Sequence, residues 1–206
     1  MKATPVHDKS VLVTGCSSGI GLATANVLRS NGWRVFPTAR KAEDLEMLRR
    51  SRFESIRLDV ASSQSIGDAV EKVLELNDGK LGALVNNAGF GMPGAIEDLT
   101  REAMRNQFEV NLFGLQELTN GLIPVFRGQG FGRIVNISSV VGRLALPFMG
   151  IYSASKFALE AVSDALRVEL SQDGIVVVLV EPGPISTRFS THCAEQGEER
   201  LNVEKS

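Results

Sequence analysis

The stretch Thr14-Gly15-Cys16-Ser17-Ser18-Gly19-Ile20-Gly21 decides the fold, because it joins a short apolar run to a helical pattern. Residues 11–14 form the apolar run, which predicts a buried strand, and residues 19–30 carry apolar side chains at helical spacing. Glycine lets a backbone turn tightly and approach a phosphate closely, and the amides at a helix N-terminus attract an anion. The stretch therefore predicts a strand–turn–helix unit that binds phosphate.

The glycines of this turn follow the spacing G-x-x-x-G-x-G, whereas the commoner dinucleotide-binding spacing is G-x-G-x-x-G. No Lys follows Gly21, which excludes an ATP-binding P-loop. Residues 15–19 also satisfy G-x-S-x-G, the nucleophile elbow of serine hydrolases, although His192 is the only histidine downstream of it. A hydrolase and a purely structural glycine turn therefore both remain alternatives at this point.

Strand and helix patterns alternate along the rest of the chain. Further strands are predicted at residues 34–38, 55–58, 83–86, 133–137 and 176–180, and helices at 42–50, 64–76, 101–126 and 151–172. Strands that are apolar on both faces fit a parallel sheet covered by helices on each side. We predict an α/β fold: a doubly wound parallel sheet (Rossmann fold) of about six strands, too few for a TIM barrel. One domain should cover residues 1–190, followed by a polar, partly disordered tail at 191–206.

The composition is that of an ordinary globular protein. The chain has 206 residues and a net charge of -2, so charge gives no reason to expect nucleic acid or an anionic membrane surface as a partner. The longest apolar run, residues 175–180, is far too short for a membrane span. Cys16 and Cys193 lie most of the chain apart, which predicts neither a disulfide framework nor a metal site. We expect a cytoplasmic protein.

At the glycine turn and at several later places, the sequence resembles the short-chain dehydrogenase/reductase (SDR) family. The further matches, in family order, are Asn86-Asn87-Ala88-Gly89, Asn111, Ser139, Tyr152-Ser153-Ala154-Ser155-Lys156 and Pro182-Gly183. The resemblance implies an oxidoreductase that transfers a hydride between a nicotinamide cofactor and a small-molecule carbonyl or alcohol. The chain is short for this family, whose members usually carry a further strand and helix at the C-terminus. An open pocket and an incompletely covered sheet edge at the sixth strand are therefore expected.

The chain's single tyrosine, Tyr152, is the expected catalytic acid or base. Tyr152 and Lys156 are four residues apart on a predicted helix, so they share a face. A phenol is a poor base at neutral pH, and we expect Lys156 together with the positive ring of an oxidised nicotinamide to lower its pKa. The resemblance implies that Ser139 hydrogen-bonds the substrate oxygen and that Asn111 organises a water in a proton relay. Lys156 would also hold the nicotinamide ribose.

The second predicted strand ends Thr38-Ala39-Arg40, with no carboxylate before the next helix begins. An NAD-preferring site places Asp or Glu there to bind the ribose hydroxyls, and a carboxylate would repel the 2′-phosphate of NADP. Arg40 can pair with that phosphate through a forked, charge-assisted contact. The end of this strand therefore favours NADP(H), although Arg40 could also simply begin a solvated basic helix.

The resemblance assigns the remaining cofactor contacts to segments that follow the predicted strands. Asp59 corresponds to the residue that meets the adenine amine, and Asn86 is expected to tie adjacent strands together. The full set implied for the cofactor is Gly15, Ser17, Ser18, Gly19, Ile20, Gly21, Arg40, Asp59, Val60, Asn87, Ala88, Gly89, Tyr152, Lys156, Pro182, Gly183, Ile185 and Thr187.

Apolar side chains dominate the segments expected to line the substrate pocket, which are residues 90–94, 140–150 and the chain after Thr187. They favour a lipophilic ketone or aldehyde, and the resemblance points to steroid, retinal or aliphatic types. It also implies a homodimer, or a tetramer, through the helices at 101–126 and 151–172. The alternative function is a non-catalytic NADP(H)-sensing binding protein on the same fold. The presence of Asn111, Ser139, Tyr152 and Lys156 favours the enzyme.

Overall fold

Six parallel strands form one sheet in the computed structural model, which describes residues 8–187, 189 and 193. The strands are β1 (Ser10–Val13), β2 (Arg34–Ala39), β3 (Ile56–Arg57), β4 (Ala83–Asn86), β5 (Gly132–Ile137) and β6 (Ile175–Val180). Their order in the sheet is β3-β2-β1-β4-β5-β6. The chain winds outward from β1 to β3 and then returns to place β4 on the other side of β1. The predicted doubly wound sheet is therefore confirmed.

Helices cover both faces of the sheet. In the described part of the chain they are α1 (Gly19–Ser30), α2 (Ala42–Arg50), α3 (Ser63–Leu76), α4 (Arg101–Phe108), α5 (Gly114–Gln129) and α6 (Gly150–Glu169). Successive strand side chains point to opposite faces, so Val11 and Val13 pack with α1 and α2, whereas Leu12 packs with α3 and α5. No helix within the described ranges is both long and apolar enough to span a membrane.

The helix predicted over residues 101–126 is interrupted. A π turn, Glu109–Phe113, separates α4 from α5 and places Asn111 in the interior, where it is completely buried. A π turn inserts an extra residue into the helix and is frequent at functional sites. The prediction of one continuous helix is therefore wrong. The break occurs where Asn111 contacts other segments of the chain, and the apolar period of the sequence does not reveal those contacts.

The sixth strand forms one edge of the sheet and is only partly covered. Val176 and Val178 are half-buried, and Val180 is 41% exposed. Among the described residues this agrees with the incomplete cover expected at the sixth strand.

We expect Gly114→Ala to destabilise the fold, because a Cβ there would lie 1.6 Å from the Val60 carbonyl oxygen. The start of α5 would have to move away from the segment after β3, at a cost of roughly 1–3 kcal/mol or more. Gly67→Ala on α3 is the matched control, since its Cβ position has open space, and it should stabilise the fold by up to about 1 kcal/mol. Urea unfolding measures both changes, and equal effects of the two substitutions would contradict the prediction.

Candidate active site

The candidate site lies along the carboxyl edge of the sheet, where all six strands end. Parallel strands share one direction, so segments far apart in sequence meet at this edge. The segments that follow the strands carry Thr14 and Gly15 after β1, Arg40 after β2, Asp59 after β3, Asn87 after β4, Ser139 after β5 and Pro182 after β6. The reversal of winding between β1 and β4 is where ligands bind in folds of this type.

Hydrogen bonds lock the glycine turn to the end of β4. The backbone N–H groups of Asn87 and Ala88 donate to Thr14 Oγ1 at 2.9 and 2.8 Å. In return, Asn87 Nδ2 donates to the carbonyl oxygens of Thr14 and Gly15 at 2.9 and 3.0 Å. The side chain of Asn87 therefore shapes the turn itself. Thr14 was not among the predicted site residues, although it stands next to the glycines in the deciding stretch.

Asn86 ties neighbouring strands together, as predicted. Its Nδ2 donates to Asn136 Oδ1 on β5 at 2.9 Å and to Thr119 Oγ1 on α5 at 3.0 Å. All three side chains are buried, so this polar network fixes the alignment of β4 with β5 beneath the site.

The glycine turn has the shape and charge that a pyrophosphate needs. A Cβ on Gly15 would lie 2.9 Å from Ala88 Cα, and one on Gly21 would lie 2.3 Å from the Gly15 carbonyl oxygen. Gly15 and Gly19 also have φ angles of +69° and +57°, which other residues rarely adopt. The side chain of Ser18 does not cap α1, and the first turn of α1 contains no acidic residue. The Cys16 N–H donates to the Thr38 carbonyl at 2.8 Å, and the amides at the start of α1 are open to an anion.

The other predicted residues of this turn, Ser17, Ser18 and Ile20, are half-buried at the start of α1. No described residue forms a hydrogen bond with the hydroxyls of Ser17 or Ser18. Both hydroxyls are therefore free to contact a phosphate.

Arg40 is an unpaired cation at the end of β2. Its side chain is exposed and forms no ion pair or hydrogen bond with the residues that the structure describes. Asp59 is half-buried, and its carboxylate accepts a hydrogen bond from the Ala61 N–H at 3.1 Å. Val60 is 8% exposed, and its carbonyl lies under the start of α5. Arg40 can therefore meet an anionic group, while Asp59 and Val60 are fixed by their own segment.

Tyr152 lies near the start of α6, and Ser139 lies directly after β5. A side-chain hydrogen bond joins the two. Ser139 Oγ also accepts from the Val141 N–H at 3.3 Å. The neighbouring Ser138 is 3% exposed, and its hydroxyl has no hydrogen-bond partner within the described ranges. The geometry brings Ser139, rather than Ser138, to Tyr152. The role of Ser139 toward the substrate oxygen stays a prediction.

Lys156 lies one helical turn beyond Tyr152 and is 5% exposed. Its Nζ donates to the Ile137 carbonyl oxygen at 2.7 Å and lies 5.9 Å from the centre of the Tyr152 ring. Burial lowers the pKa of Lys156 to about 8, although the nearby Glu160 carboxylate raises it. Lys156 therefore titrates close to physiological pH.

The pKa of Tyr152 lies above its ordinary value. Burial raises this pKa, the hydrogen bond with Ser139 lowers it, and Cys193 raises it further. We expected Lys156 and an oxidised nicotinamide together to lower the pKa. In the protein chain by itself, burial outweighs the hydrogen bond. The contribution of the nicotinamide ring stays a prediction.

Asn111 joins the segment after β4 to α6. Its Oδ1 accepts from the Phe90 N–H at 3.1 Å, and its Nδ2 donates to the Phe90 carbonyl at 2.9 Å and to Ser155 Oγ at 3.1 Å. A Cβ on the exposed Gly89 would lie 3.1 Å from Asn111 Oδ1, so the backbone approaches this amide closely. The side chain of Asn111 is thus engaged in holding the site together, and its role in a water relay stays a prediction.

Gln107 also supports the site and was missed in the sequence. Its Oε1 accepts from the Met92 N–H and its Nε2 donates to the Phe90 carbonyl, both at 2.8 Å. Gln107 and Asn111 are four residues apart, so two amides on one helix face were the available signal.

The segment after β6 carries the last four predicted residues: Pro182, Gly183, Ile185 and Thr187. The Val140 N–H donates to the Pro182 carbonyl at 3.1 Å, which connects this segment to the turn after Ser139. A Cβ on Gly19 would lie 3.3 Å from Thr187 Cβ, so Thr187 lies over the glycine turn. Gly183 and Ile185 are exposed. The structure therefore brings Thr187 to the predicted phosphate site.

Exposed apolar side chains lie on the turn before α6 and beside Tyr152, and we call them the apolar rim. Leu144 and Leu146 are each 47% exposed, and Phe148 is 68% exposed. The ring of Phe189 lies 5.5 Å from that of Tyr152, measured between centroids. The open substrate pocket expected from the sequence stays a prediction.

The described residues offer little support for a serine hydrolase, a reactive thiol or a metal site. His192, which a serine hydrolase would need, lies outside the described residues. Cys16 is completely buried, and burial raises the pKa of its thiol to about 12, which makes it unreactive. No group of three or more His, Cys, Asp or Glu side chains in the described ranges could hold a metal ion.

A family model described as short chain dehydrogenase matches residues 9–198. The chain therefore belongs to the short-chain dehydrogenase/reductase family of oxidoreductases. It is 48% identical over 185 residues to the uncharacterized oxidoreductase YbbO of Escherichia coli K12, a match that covers 90% of this chain and 69% of that protein. It is 41% identical over 191 residues to human retinol dehydrogenase 16, covering 90% of this chain and 60% of that protein. The chain thus spans well under the full length of either relative.

Solved structures with this fold include two reductases. A variant of actinorhodin polyketide ketoreductase with NADPH has a TM-score of 0.84 and 35% identity, covering 97% of this chain and 78% of that one. A 3-ketoacyl-(acyl-carrier-protein) reductase from Brucella melitensis complexed with NADH has a TM-score of 0.85 and 29% identity, covering 91% of this chain and 80% of that one. Family membership thus supports a nicotinamide dinucleotide and does not choose between its two forms.

The buried Lys156 should make stability rise with pH. The pKa of Lys156 is about 8 in the folded chain and 10.5 as its ordinary value. Between these two pH values, the unfolded chain binds more protons at Lys156 than the folded chain. The contribution of Lys156 to the free energy of unfolding should therefore rise across this window, by up to about 3 kcal/mol, while the buried thiol of Cys16 contributes in the opposite direction above pH of about 9. Lys156→Met should remove this rise, whereas Lys72→Met, at an exposed position of α3, should keep it. Urea unfolding at a series of pH values measures the slopes, and parallel slopes for wild type and Lys156→Met would refute the prediction.

Proposed function

We propose that this chain is an NADP-dependent oxidoreductase that transfers a hydride between nicotinamide and a carbonyl or alcohol group, on a lipophilic ketone or aldehyde. The observation that carries the proposal is the placement of Ser139, Tyr152 and Lys156 together at the carboxyl edge of the sheet. The glycine turn at the same edge fits a pyrophosphate. Membership of the SDR family supports the class of reaction.

Each of the three side chains has a distinct task in the proposed reaction. When bound, the nicotinamide supplies the hydride for reduction or accepts it in oxidation. Tyr152 gives its hydroxyl proton to the carbonyl oxygen, or takes the proton of the alcohol in the reverse direction. Ser139 donates a hydrogen bond to the same oxygen as charge develops there. The Lys156 ammonium stabilises the Tyr152 phenolate and so opposes the effect of burial.

NADP rather than NAD is proposed because of the charges at the end of β2. Arg40 is exposed and has no partner among the described residues, so it can pair with a 2′-phosphate without first breaking an ion pair. No carboxylate stands between β2 and Glu43 on α2, where it would bind an unphosphorylated ribose.

The lipophilic substrate is proposed from the apolar rim around Tyr152. Exposed apolar side chains beside the proposed catalytic residue favour an apolar ligand, because its binding removes them from water. The similarity to human retinol dehydrogenase 16 supports the same substrate class.

A homodimer in the cytoplasm is proposed as the working state. Phe113, in the π turn, is 53% exposed and Phe157, on α6, is 45% exposed, and a second copy of the chain could cover them. Cys16 and Cys193 are both free thiols, which suits a reducing compartment.

Tyr152→Phe should reduce turnover by roughly 10²–10⁴-fold and weaken NADPH binding far less, because it removes the hydroxyl that carries the transferred proton and leaves the other implied cofactor contacts in place. NADPH oxidation should be followed with a panel of apolar ketones and aldehydes. Tyr152 is the only tyrosine in the chain, so no other phenol can replace it. Equal activity in the variant would overturn the mechanism. Firm NADPH binding by the wild type without turnover of any carbonyl would instead favour a binding protein.

Arg40→Ala should weaken NADPH binding about tenfold or more and leave NADH binding almost unchanged, since only NADPH carries the 2′-phosphate. Arg49→Ala, an exposed arginine near the end of α2, is the matched control and should change neither affinity. Fluorescence titration with both cofactors measures the two dissociation constants. Tighter binding of NADH than of NADPH by the wild type would contradict the NADP assignment.

A further inference from the structure

Three titratable side chains form a buried stripe along α6. Tyr152, Lys156 and Glu160 follow each other at intervals of four residues, which places them on one face of the helix. They are 7%, 5% and 4% exposed. A buried carboxylate is costly unless a positive group compensates it, so Glu160 needs a partner.

Arg143, from the turn after β5, provides that partner. Its Nη2 lies 2.9 Å from Glu160 Oε2 and 2.9 Å from Glu181 Oε1, at the end of β6. Both oxygens of Glu160 are buried and accept no hydrogen bond in good geometry from the described residues, so the contact with Arg143 is an ion pair. The side chain of Arg143 itself is 54% exposed. The positive charge that compensates the buried Glu160 therefore belongs to a side chain at the protein surface.

The backbone of this turn is fitted to Glu160. A Cβ on Gly142 would lie 3.2 Å from Glu160 Cγ and 3.3 Å from Glu160 Oε1. It would also lie 2.8 Å from Ser138 Oγ. The carboxylate thus has a defined place between α6 and the turn that begins at Ser139.

We propose that Glu160 is a positioning residue that keeps the Lys156 ammonium charged beside Tyr152, and that Arg143 limits this effect by pairing with Glu160. As a statement about catalysis, the inference rests on the proposed function. As a statement about the charge of Lys156, it concerns the protein chain alone.

The surrounding charges support this arrangement. In the described ranges, Glu160 is the one charged group whose field acts on Lys156, where it raises the pKa that burial lowers. Glu181, Glu160 and Asp164 act in turn on Arg143, whose pKa they raise, and Cys193 acts on Tyr152. Of the charged side chains on the other elements packed against α6, Arg101, Glu102, Arg105 and Glu109 are exposed. Asp173, in the turn after α6, is half-buried and pairs with Arg127. Burial has the larger effect on the pKa of Lys156, and Glu160 is the charged group that opposes it.

Two substitutions should move the pKa of Lys156 in opposite directions. Glu160→Gln removes the negative field and should lower this pKa by about half a unit or more. Arg143→Gln leaves Glu160 without its counter-charge and should raise the pKa of Lys156 by a similar amount. NMR titration of protein labelled with ¹³C at lysine Cε measures the pKa, and the Lys156 signal is assigned by its loss in Lys156→Met.

Glu181→Gln is the matched control, because it removes the other carboxylate that contacts Arg143 and leaves Glu160 in place. Its Lys156 pKa should stay at the wild-type value. The inference is overturned if Glu160→Gln leaves the Lys156 pKa unchanged, or if Glu160→Gln and Glu181→Gln shift it equally. Glu160→Gln removes the buried charge and leaves Arg143 paired with Glu181, so it should fold even if Arg143→Gln, which leaves Glu160 without its counter-charge, is destabilised. A pKa that does not rise in folded Arg143→Gln also counts against the inference.

The pH dependence of turnover links the same charge to catalysis. If protonated Lys156 is needed, the alkaline limb of the activity profile should move to lower pH in Glu160→Gln and to higher pH in Arg143→Gln. A purely structural role would reduce activity at all pH values without moving the limb. Shifts of the Lys156 signal without turnover of any carbonyl would refute the proposed function and support the inference. Turnover of a carbonyl together with an unchanged Lys156 pKa in Glu160→Gln would support the proposed function and refute the inference.

Discussion

The hydrogen bonds between Thr14 and the end of β4 are the constraint on which the candidate site depends. They join the two strands at the place where the sheet reverses its winding, and the reciprocal bonds from Asn87 hold the glycine turn in shape. A Cβ on Gly15 would strike Ala88, and one on Gly21 would strike the Gly15 carbonyl and Asn87 Nδ2. Gly15 and Gly21 are therefore needed for two reasons. Larger residues would not fit against the end of β4, and they would also keep a phosphate away from the backbone.

Burial has the same consequence for both titratable groups of the proposed reaction, since it favours their uncharged forms. It raises the pKa of the Tyr152 phenol and lowers that of Lys156 to about 8. A phenolate beside an ammonium therefore has to be stabilised by other charges and donors. Ser139 does this for Tyr152 through a hydrogen bond, and Glu160 does it for Lys156 through its field. The chemistry of the stripe is set by neighbours on other turns and strands, rather than by Tyr152 and Lys156 alone.

The sequence predicted most of the fold because its signals are local. Each strand is a short apolar run and most helices have a clear apolar period, so α1 and α2 agree with their predicted bounds. The π turn at Asn111 inserts one residue, which is too little to disturb a periodic pattern. Glu160 looks like one charged residue among many on an amphipathic helix. Its burial depends on Gly142 and Arg143, which reach it only in the folded chain, so no pattern on α6 could reveal it.

The apolar rim includes a residue in an unfavourable backbone conformation. Phe148 has a φ of 60°, an unfavourable conformation for a bulky residue, and its carbonyl accepts a hydrogen bond from the Gly94 N–H at 2.9 Å. That bond ties the turn before α6 to the segment after β4, which Gln107 and Asn111 hold from the other side. The turn before α6, which carries most of the rim, and the segment after β4 are thus fixed to each other, and the segment after β4 is also fixed to α4 and the π turn. Because the rim is held in this way, its exposed apolar side chains present a preformed surface, and a ligand that covers them need not first order the backbone.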